Sequence, residues 1–289
     1  MAMDGLEPKE AASWLRHPDS VAPTVLLLGG FLTAPPMYSR LVRRLKERRA
    51  AEVVVADVWP PDWLLASLRG SGPIATRSAR ALLAAGRLAR AASEGAPLLV
   101  VGHSAGGITA RLLTAPEPFA GRRFGAASRI GAIVTLGTPH EVSSGEGIGR
   151  RIHEVASSIA DGLVPGSFFA PAIGYVSVAS RAVRADLAGT GRERVAHLLY
   201  RSVIGRSAVR GTEGDGLVPV AATVLGGGRQ IVLDTALHGP GAGGPWYGTD
   251  AEVDVWWPVA LHAWREALRC RARSAGAGSR RSRAKATAG

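Results

Sequence analysis

The segment Val100-Val101-Gly102-His103-Ser104-Ala105-Gly106-Gly107 constrains this chain more than any other. An apolar run, Leu98 to Val100, enters Gly-x-Ser-x-Gly, and a helix-like stretch, Ile108 to Leu113, leaves it. A serine between a strand and a helix in so short a space must sit on a sharp, strained turn with its hydroxyl exposed. Glycines two residues before and after it remove side chains that would collide. The turn also brings the Ala105 amide and a helix N-terminus to the place where negative charge grows during acyl transfer. Ser104 is therefore the candidate nucleophile.

The rest of the chain supplies a frame for such a turn. Thr24 to Leu28 is a continuous apolar run ending in Gly29-Gly30, as in a strand buried on both faces. Pro35 to Arg49 carries Met37, Leu41, Val42 and Leu45 at helical spacing among arginines. Further strands are predicted at 52–58, 98–102, 130–136, 174–178 and 230–233, with Trp59-Pro60-Pro61-Asp62-Trp63 stopping the second. Helices are predicted over 74–93, 192–204 and 252–271, with Pro258 set to kink or restart the last. Alternating strands and helices predict an α/β class, with a mostly parallel sheet of about six or more strands covered on both faces. Ligands of such sheets bind beyond the carboxyl ends of the strands, which gathers Gly29-Gly30, Ser104 and Gly137-Thr138-Pro139 on one edge.

The expected division is an N-terminal extension over 1–20, one domain over 21–272, and a basic disordered tail over 273–289. The segment 141–171 interrupts the sheet pattern and is the candidate for a small cap, an ordinary surface excursion being the alternative. The charge of +12 points to nucleic acid until its location is considered. Eight basic residues and one acid lie from Arg265 onward, leaving +5 for everything before. No aromatic interleaving or metal-ligand spacing accompanies that tail, so it predicts no specific nucleic-acid partner and at most weak contact with an anionic membrane. Cys270 alone excludes an internal disulfide. The charged first twenty residues lack a signal-peptide core, and no apolar run reaches the length of a membrane span. A cytoplasmic location is the expectation.

A serine hydroxyl is a weak nucleophile at neutral pH and needs a histidine in reach, itself oriented by a buried carboxylate. Behind a nucleophile turn of this type the acid and then the base follow on loops after late strands. His238, on the loop His238-Gly239-Pro240-Gly241, fits the base. His17, His103 and His140 come too early, and His153, His197 and His262 fall in helical stretches. Asp215, between Gly214 and Gly216, is favoured as the acid, because 192–204 reads as an insertion before its turn. Asp186 and Asp234 are the rivals. The oxyanion donors are the amides of Ala105 and of Phe31, with Leu32 the alternative to Phe31. His103 is assigned to packing, on the view that it points away from the nucleophile's side.

Taken together, Gly-His-Ser-x-Gly-Gly, Leu136-Gly137-Thr138-Pro139-His140, Gly-Asp-Gly-x-Val-Pro and a late histidine resemble the lipase-like α/β-hydrolases. The nearest group is the one shared by cyanobacteria, other bacteria and plant plastids. Leu28-Gly29-Gly30-Phe31-Leu32, Pro165-Gly166-Ser167-Phe168-Phe169 and Pro245-Trp246-Tyr247-Gly248 also match, so the resemblance spans about Thr24 to Trp264. Gly29 departs from it, since many relatives carry Pro or His there. The resemblance implies the α/β-hydrolase fold and carboxylic-ester hydrolysis without cofactor or metal, with Ser104, Asp215 and His238 in the triad positions and a small-molecule or lipid ester as substrate. His140 then belongs to a turn lining the site. Leu32, His140, Phe168, Phe169 and Trp246 are the expected substrate-pocket residues, joined among the aromatics by Trp59, Trp63 and Tyr247. The same triad would also serve an acyltransferase or a thioesterase, and a catalytically silent lipid- or protein-binding fold is the reading of a different class.

Overall fold

The computed structural model describes residues 13–141, 158–205 and 209–286. Its centre is a six-stranded sheet, every neighbouring pair parallel, built from β1 (Thr24–Leu28), β2 (Glu52–Val55), β3 (Leu98–His103), β4 (Ile130–Leu136), β5 (Gly174–Ser180) and β8 (Arg229–Leu233). The order across it is β2-β1-β3-β4-β5-β8. Two further strands, β6 (Val183–Arg184) and β7 (Glu213–Gly214), form a separate antiparallel ribbon.

The apolar runs are buried on both sides because the pleat sends alternate residues to two different cores. Val25, Leu27, Leu99 and Val101 join one cluster with Leu41 and Leu45 of α1 (Ser39–Glu47) and Trp256 and Trp264 of α6 (Asp250–Ala286). Leu26, Leu28, Leu98 and Val100 join the other, against Ile74, Leu82 and Ala85 of α3 (Gly72–Ala92) and Ala110 and Leu113 of α4 (Ala105–Thr114). Three indole N–H groups of α6 find backbone acceptors, one nearby and two far away in sequence: Trp256 on Tyr247, Trp257 on Arg48 and Trp264 on Pro97.

Strand and helix positions follow the apolar patterns closely, with three differences. A helix, α2 (Pro60–Arg69), occupies the segment read as a strand stop. Prolines also fit the first helical turn, where no N–H is needed, and the Asp62 carboxylate accepts from the Trp59 amide at 2.8 Å to cap it. Helix α6 runs straight through Pro258 and on to Ala286, where composition suggests a disordered tail from Ser274. The β6–β7 ribbon was not foreseen, because two-residue strands carry no period. It frames α5 (Gly191–Ile204), whose Thr190 and Glu193 form a reciprocal capping box. Of the candidate cap, residues 142–157 lie outside the described residues. Among the described residues no helix is long and apolar enough to cross a membrane.

The order β2-β1-β3 matters for function. The chain leaves β1 toward one edge and resumes beyond it at β3, so the carboxyl ends of β1 and β3 flank the point where connections diverge. That crevice is where open parallel sheets bind ligands. Ser104 and Gly30 sit on its two sides.

Packing at this point leaves no room for side chains. A Cβ on Gly106 would fall on the Leu28 carbonyl oxygen, and one on Gly102 would lie 2.5 Å from the Gly107 backbone nitrogen. In an ordinary helix Gly→Ala stabilises by about 1 kcal/mol. Here Gly106→Ala is expected to destabilise instead, by about 1–3 kcal/mol of overpacking against backbone that cannot yield. Denaturant unfolding of the variant checks the sign.

Candidate active site

Ser104 occupies a left-handed conformation, φ +52° and ψ −126°, at the start of α4. Such a backbone costs a non-glycine residue about 1–3 kcal/mol and persists only where its surroundings enforce it. The enforcement is visible. The Ser104 amide donates to the Leu136 carbonyl at 2.9 Å, and the Thr138 hydroxyl donates to the Ser104 carbonyl at 2.8 Å. The Gly-Thr-Pro turn after β4 therefore clamps the elbow.

His238 arrives on the loop after β8, and its Nε2 lies 3.0 Å from Ser104 Oγ. Its Nδ1 lies 2.8 Å from Asp215 Oδ2. A carboxylate accepts only, so Nδ1 carries the proton and Nε2 offers a lone pair to the serine hydroxyl. Asp215 is fully buried on the turn after β7, and His238 is about one-sixth exposed. The two residues are also tied through the main chain, with the His238 amide donating to the Asp215 carbonyl at 3.0 Å.

Four donors surround the Asp215 carboxylate. Oδ1 accepts from the amides of Leu217 (2.9 Å) and Val218 (2.7 Å); Oδ2 accepts from His238 and from the Tyr247 hydroxyl (2.9 Å). Burial pushes this carboxyl up, but His238 and the two amides outweigh it and hold it below the ordinary carboxylate value. Gly137, at φ +56°, makes the space: a Cβ there would stand 2.7 Å from Oδ2. The two rival acids lie elsewhere. Asp186 caps the Ala188 amide at 3.0 Å, and Asp234 pairs with Arg181 at 2.7 Å on the surface.

Above the serine runs the loop after β1. Gly30 passes so close that a Cβ on it would meet Ser104 Cβ at 2.8 Å. This approach carries Phe31, next in the chain, to the rim of Ser104. A cavity of about 280 Å³ opens beside Ser104 and His238, walled on one side by Phe31, Thr33 and Met37 and on the other by Leu217, Pro240 and Ala242. Its surface is mostly carbon, suited to an apolar group. Phe31 is backed by Trp63 of α2, ring centroids 5.7 Å apart.

The expected pocket residues Leu32, His140, Phe168, Phe169 and Trp246 do not line this cavity. Leu32, at φ +56°, is 44 % exposed to solvent. His140 is buried, with Thr135 Oγ1 3.1 Å from Nε2 and Arg111 Nη1 3.3 Å from Nδ1; burial first, and Arg111 beside it, push it down to about 3. Phe168 and Phe169 precede β5 and so lie at the amino edge of the sheet, stacked edge-on at 4.9 Å. Trp246 is buried behind the site against Tyr38 and His103. Tyr247, grouped only with the aromatics, instead reaches Asp215. Its hydroxyl had no signal in spacing or composition. His103 does more than pack: its Nε2 lies 2.6 Å from the His238 carbonyl oxygen. Among the described residues no group of His, Cys, Asp or Glu could hold a metal ion.

No family model and no curated protein matches the chain. Solved structures do. The mature form of Bacillus licheniformis lipase BlEst2 superposes with a TM-score of 0.54 at 14% identity, over 86% of this chain and 94% of that one. The chain has the α/β-hydrolase fold. The apo form of Thermogutta terrifontis esterase 2 is a more distant likeness, with a TM-score of 0.44 and 12% identity over 84% of this chain and 81% of that one. An α/β-hydrolase sheet presents its nucleophile, acid and base from the loops at its carboxyl edge, the edge on which Ser104, Asp215 and His238 meet.

Proposed function

We propose that this α/β-hydrolase is a cofactor-free carboxylic-ester hydrolase that works through an acyl-serine intermediate. The observation that carries the reading is the unbroken line from Ser104 Oγ through His238 to Asp215 Oδ2, at 3.0 and 2.8 Å. In this reading His238 Nε2 takes the hydroxyl proton as Ser104 Oγ attacks the ester carbonyl carbon. The carbonyl oxygen becomes an oxyanion held by the amides of Ala105 and Phe31. The tetrahedral adduct collapses, the bond to the alkoxy oxygen breaks, and His238 Nε2–H gives its proton to the leaving alcohol. Water then repeats the sequence on the acyl-serine, releasing the acid and restoring Ser104. Asp215 stays ionised throughout and stabilises the imidazolium.

The apolar cavity supports an acyl or alkyl group beside the nucleophile, and the motif set resembles that of the lipase-like α/β-hydrolases shared by cyanobacteria, other bacteria and plant plastids. The similar fold of a protein named as a lipase supports the same class. The direct test is a fluorophosphonate probe followed by peptide mass mapping. Stoichiometric modification of Ser104 is expected. A chain that stays unlabelled, or is labelled at another residue, rejects the proposal.

A further inference from the structure

We infer that His103 is a positioning residue that joins the oxyanion loop to the backbone of the base, through Tyr38, in one buried hydrogen-bonded line. The inference rests on the hydrolase reading above for its catalytic consequence, but not for its geometry.

The protons can be assigned one by one. The His238 carbonyl oxygen accepts only, so His103 Nε2, 2.6 Å away, must carry a hydrogen. His103 Nδ1 lies 2.9 Å from the Tyr38 hydroxyl. The ring is completely buried, and burial first, then the His238 ring nearby, push its pKa down to about 3. A neutral ring with Nε2–H has a bare Nδ1 that can only accept, so the single Tyr38 hydroxyl hydrogen is shared between His103 Nδ1 at 2.9 Å and Thr33 Oγ1 at 3.0 Å. The Tyr38 oxygen in turn accepts the Gly30 amide at 2.9 Å. The line therefore runs from Gly30 N–H to Tyr38 O–H to His103 and ends on the carbonyl of His238. Thr33 closes the near end, its hydroxyl donating to the Gly30 carbonyl at 2.7 Å.

Both ends of this line bear on chemistry. Gly30 immediately precedes the proposed oxyanion donor Phe31, and His238 is the proposed base. Residues 30, 103 and 238 are remote in sequence, and His103 directly precedes the nucleophile. One imidazole thus fixes three loops relative to each other. Neutrality is part of the fit: the His103 and His238 ring centroids are 5.1 Å apart, so a charged His103 would oppose the imidazolium that forms on His238.

Three variants of the full chain test this: His103→Phe, His103→Gln and Tyr38→Phe, assayed with p-nitrophenyl acetate. His103→Phe is expected to lower kcat about 10²-fold, the cost of roughly 1 Å of misplacement, with KM changed less than about threefold. Glutamine keeps a donor for the His238 carbonyl, so His103→Gln is expected to recover most of the loss. Adding Tyr38→Phe to His103→Phe should cost little more, because the line is already cut. Wild-type kcat in a folded His103→Phe protein, or His103→Gln as slow as His103→Phe, overturns the inference. Should His103→Phe fail to fold, Tyr38→Phe alone decides: unchanged kcat rejects it. Nitrogen NMR of the histidine rings adds a readout independent of turnover. The Nε2–H tautomer, without titration down to about pH 5, is expected for His103, and an Nδ1–H tautomer or an imidazolium overturns the line itself. A wild-type chain inert to fluorophosphonate would bring down the hydrolase reading instead, and the catalytic part of the inference with it.

Discussion

Ser104→Ala is expected to abolish turnover of short p-nitrophenyl esters, with kcat falling by about 10⁶-fold, the scale seen when a nucleophile of this kind is removed. The substitution deletes one oxygen from a residue only 5 % exposed and leaves the turn intact. The clamps on the elbow act through the Ser104 main chain, to Leu136 and Thr138, so alanine retains them. Alanine tolerates the left-handed backbone no worse than serine does, and stability should change by less than about 1 kcal/mol. Parallel measurement of hydrolysis and thermal unfolding separates the two effects. Residual hydrolysis within tenfold of wild type would show that another group carries the reaction.

The second large effect is expected at Asp215→Asn, about 10⁴-fold in kcat. The reason lies in the four donors around the carboxylate. The amides of Leu217 and Val218 are fixed donors, so the asparagine oxygen must face them. Its NH₂ then faces His238 Nδ1, which can only respond by giving up its proton and becoming an acceptor. The ring is forced to the tautomer with Nε2–H, and Nε2 can no longer take the proton of Ser104. Geometry would be nearly unchanged while the base is silenced. A rate within tenfold of wild type would mean that the acid does not set the tautomer.

Much of this site can be read from residue order alone. The elbow declares itself because Gly102 and Gly106 bracket a serine between an apolar run and a helix, a local pattern with a steric cause. His238 and Asp215 follow from the order of late loops. The outer layer does not. Tyr247 and Tyr38 reach the site by hydrogen bonds across 32 and 65 residues, to Asp215 and to His103. A buried aromatic looks the same in sequence whether or not its hydroxyl has a partner. The cavity beside Ser104 is a related case: large aromatics such as Phe168 and Trp246 suggest a binding wall, yet Phe168 precedes β5 at the other edge of the sheet and Trp246 is buried on the loop after β8. The cavity is instead walled largely by small or unremarkable residues, Thr33, Met37 and Ala242 among them. His103 stands between these cases, legible as a member of the elbow and illegible as a bridge.

The indoles of α6 also bear on how the protein is made. While it is emerging from the ribosome, the chain releases β1, β3 and β4 well before α6. The face bearing Val25, Leu27, Val101 and Val134 still lacks Trp256, Trp257 and Trp264, which are synthesised more than a hundred residues after β4. At ordinary translation speeds that interval is roughly ten seconds. During it a nascent chain carries a sticky, half-dressed sheet, and translation arrested before residue 250 would leave a species fit for chaperone capture or degradation.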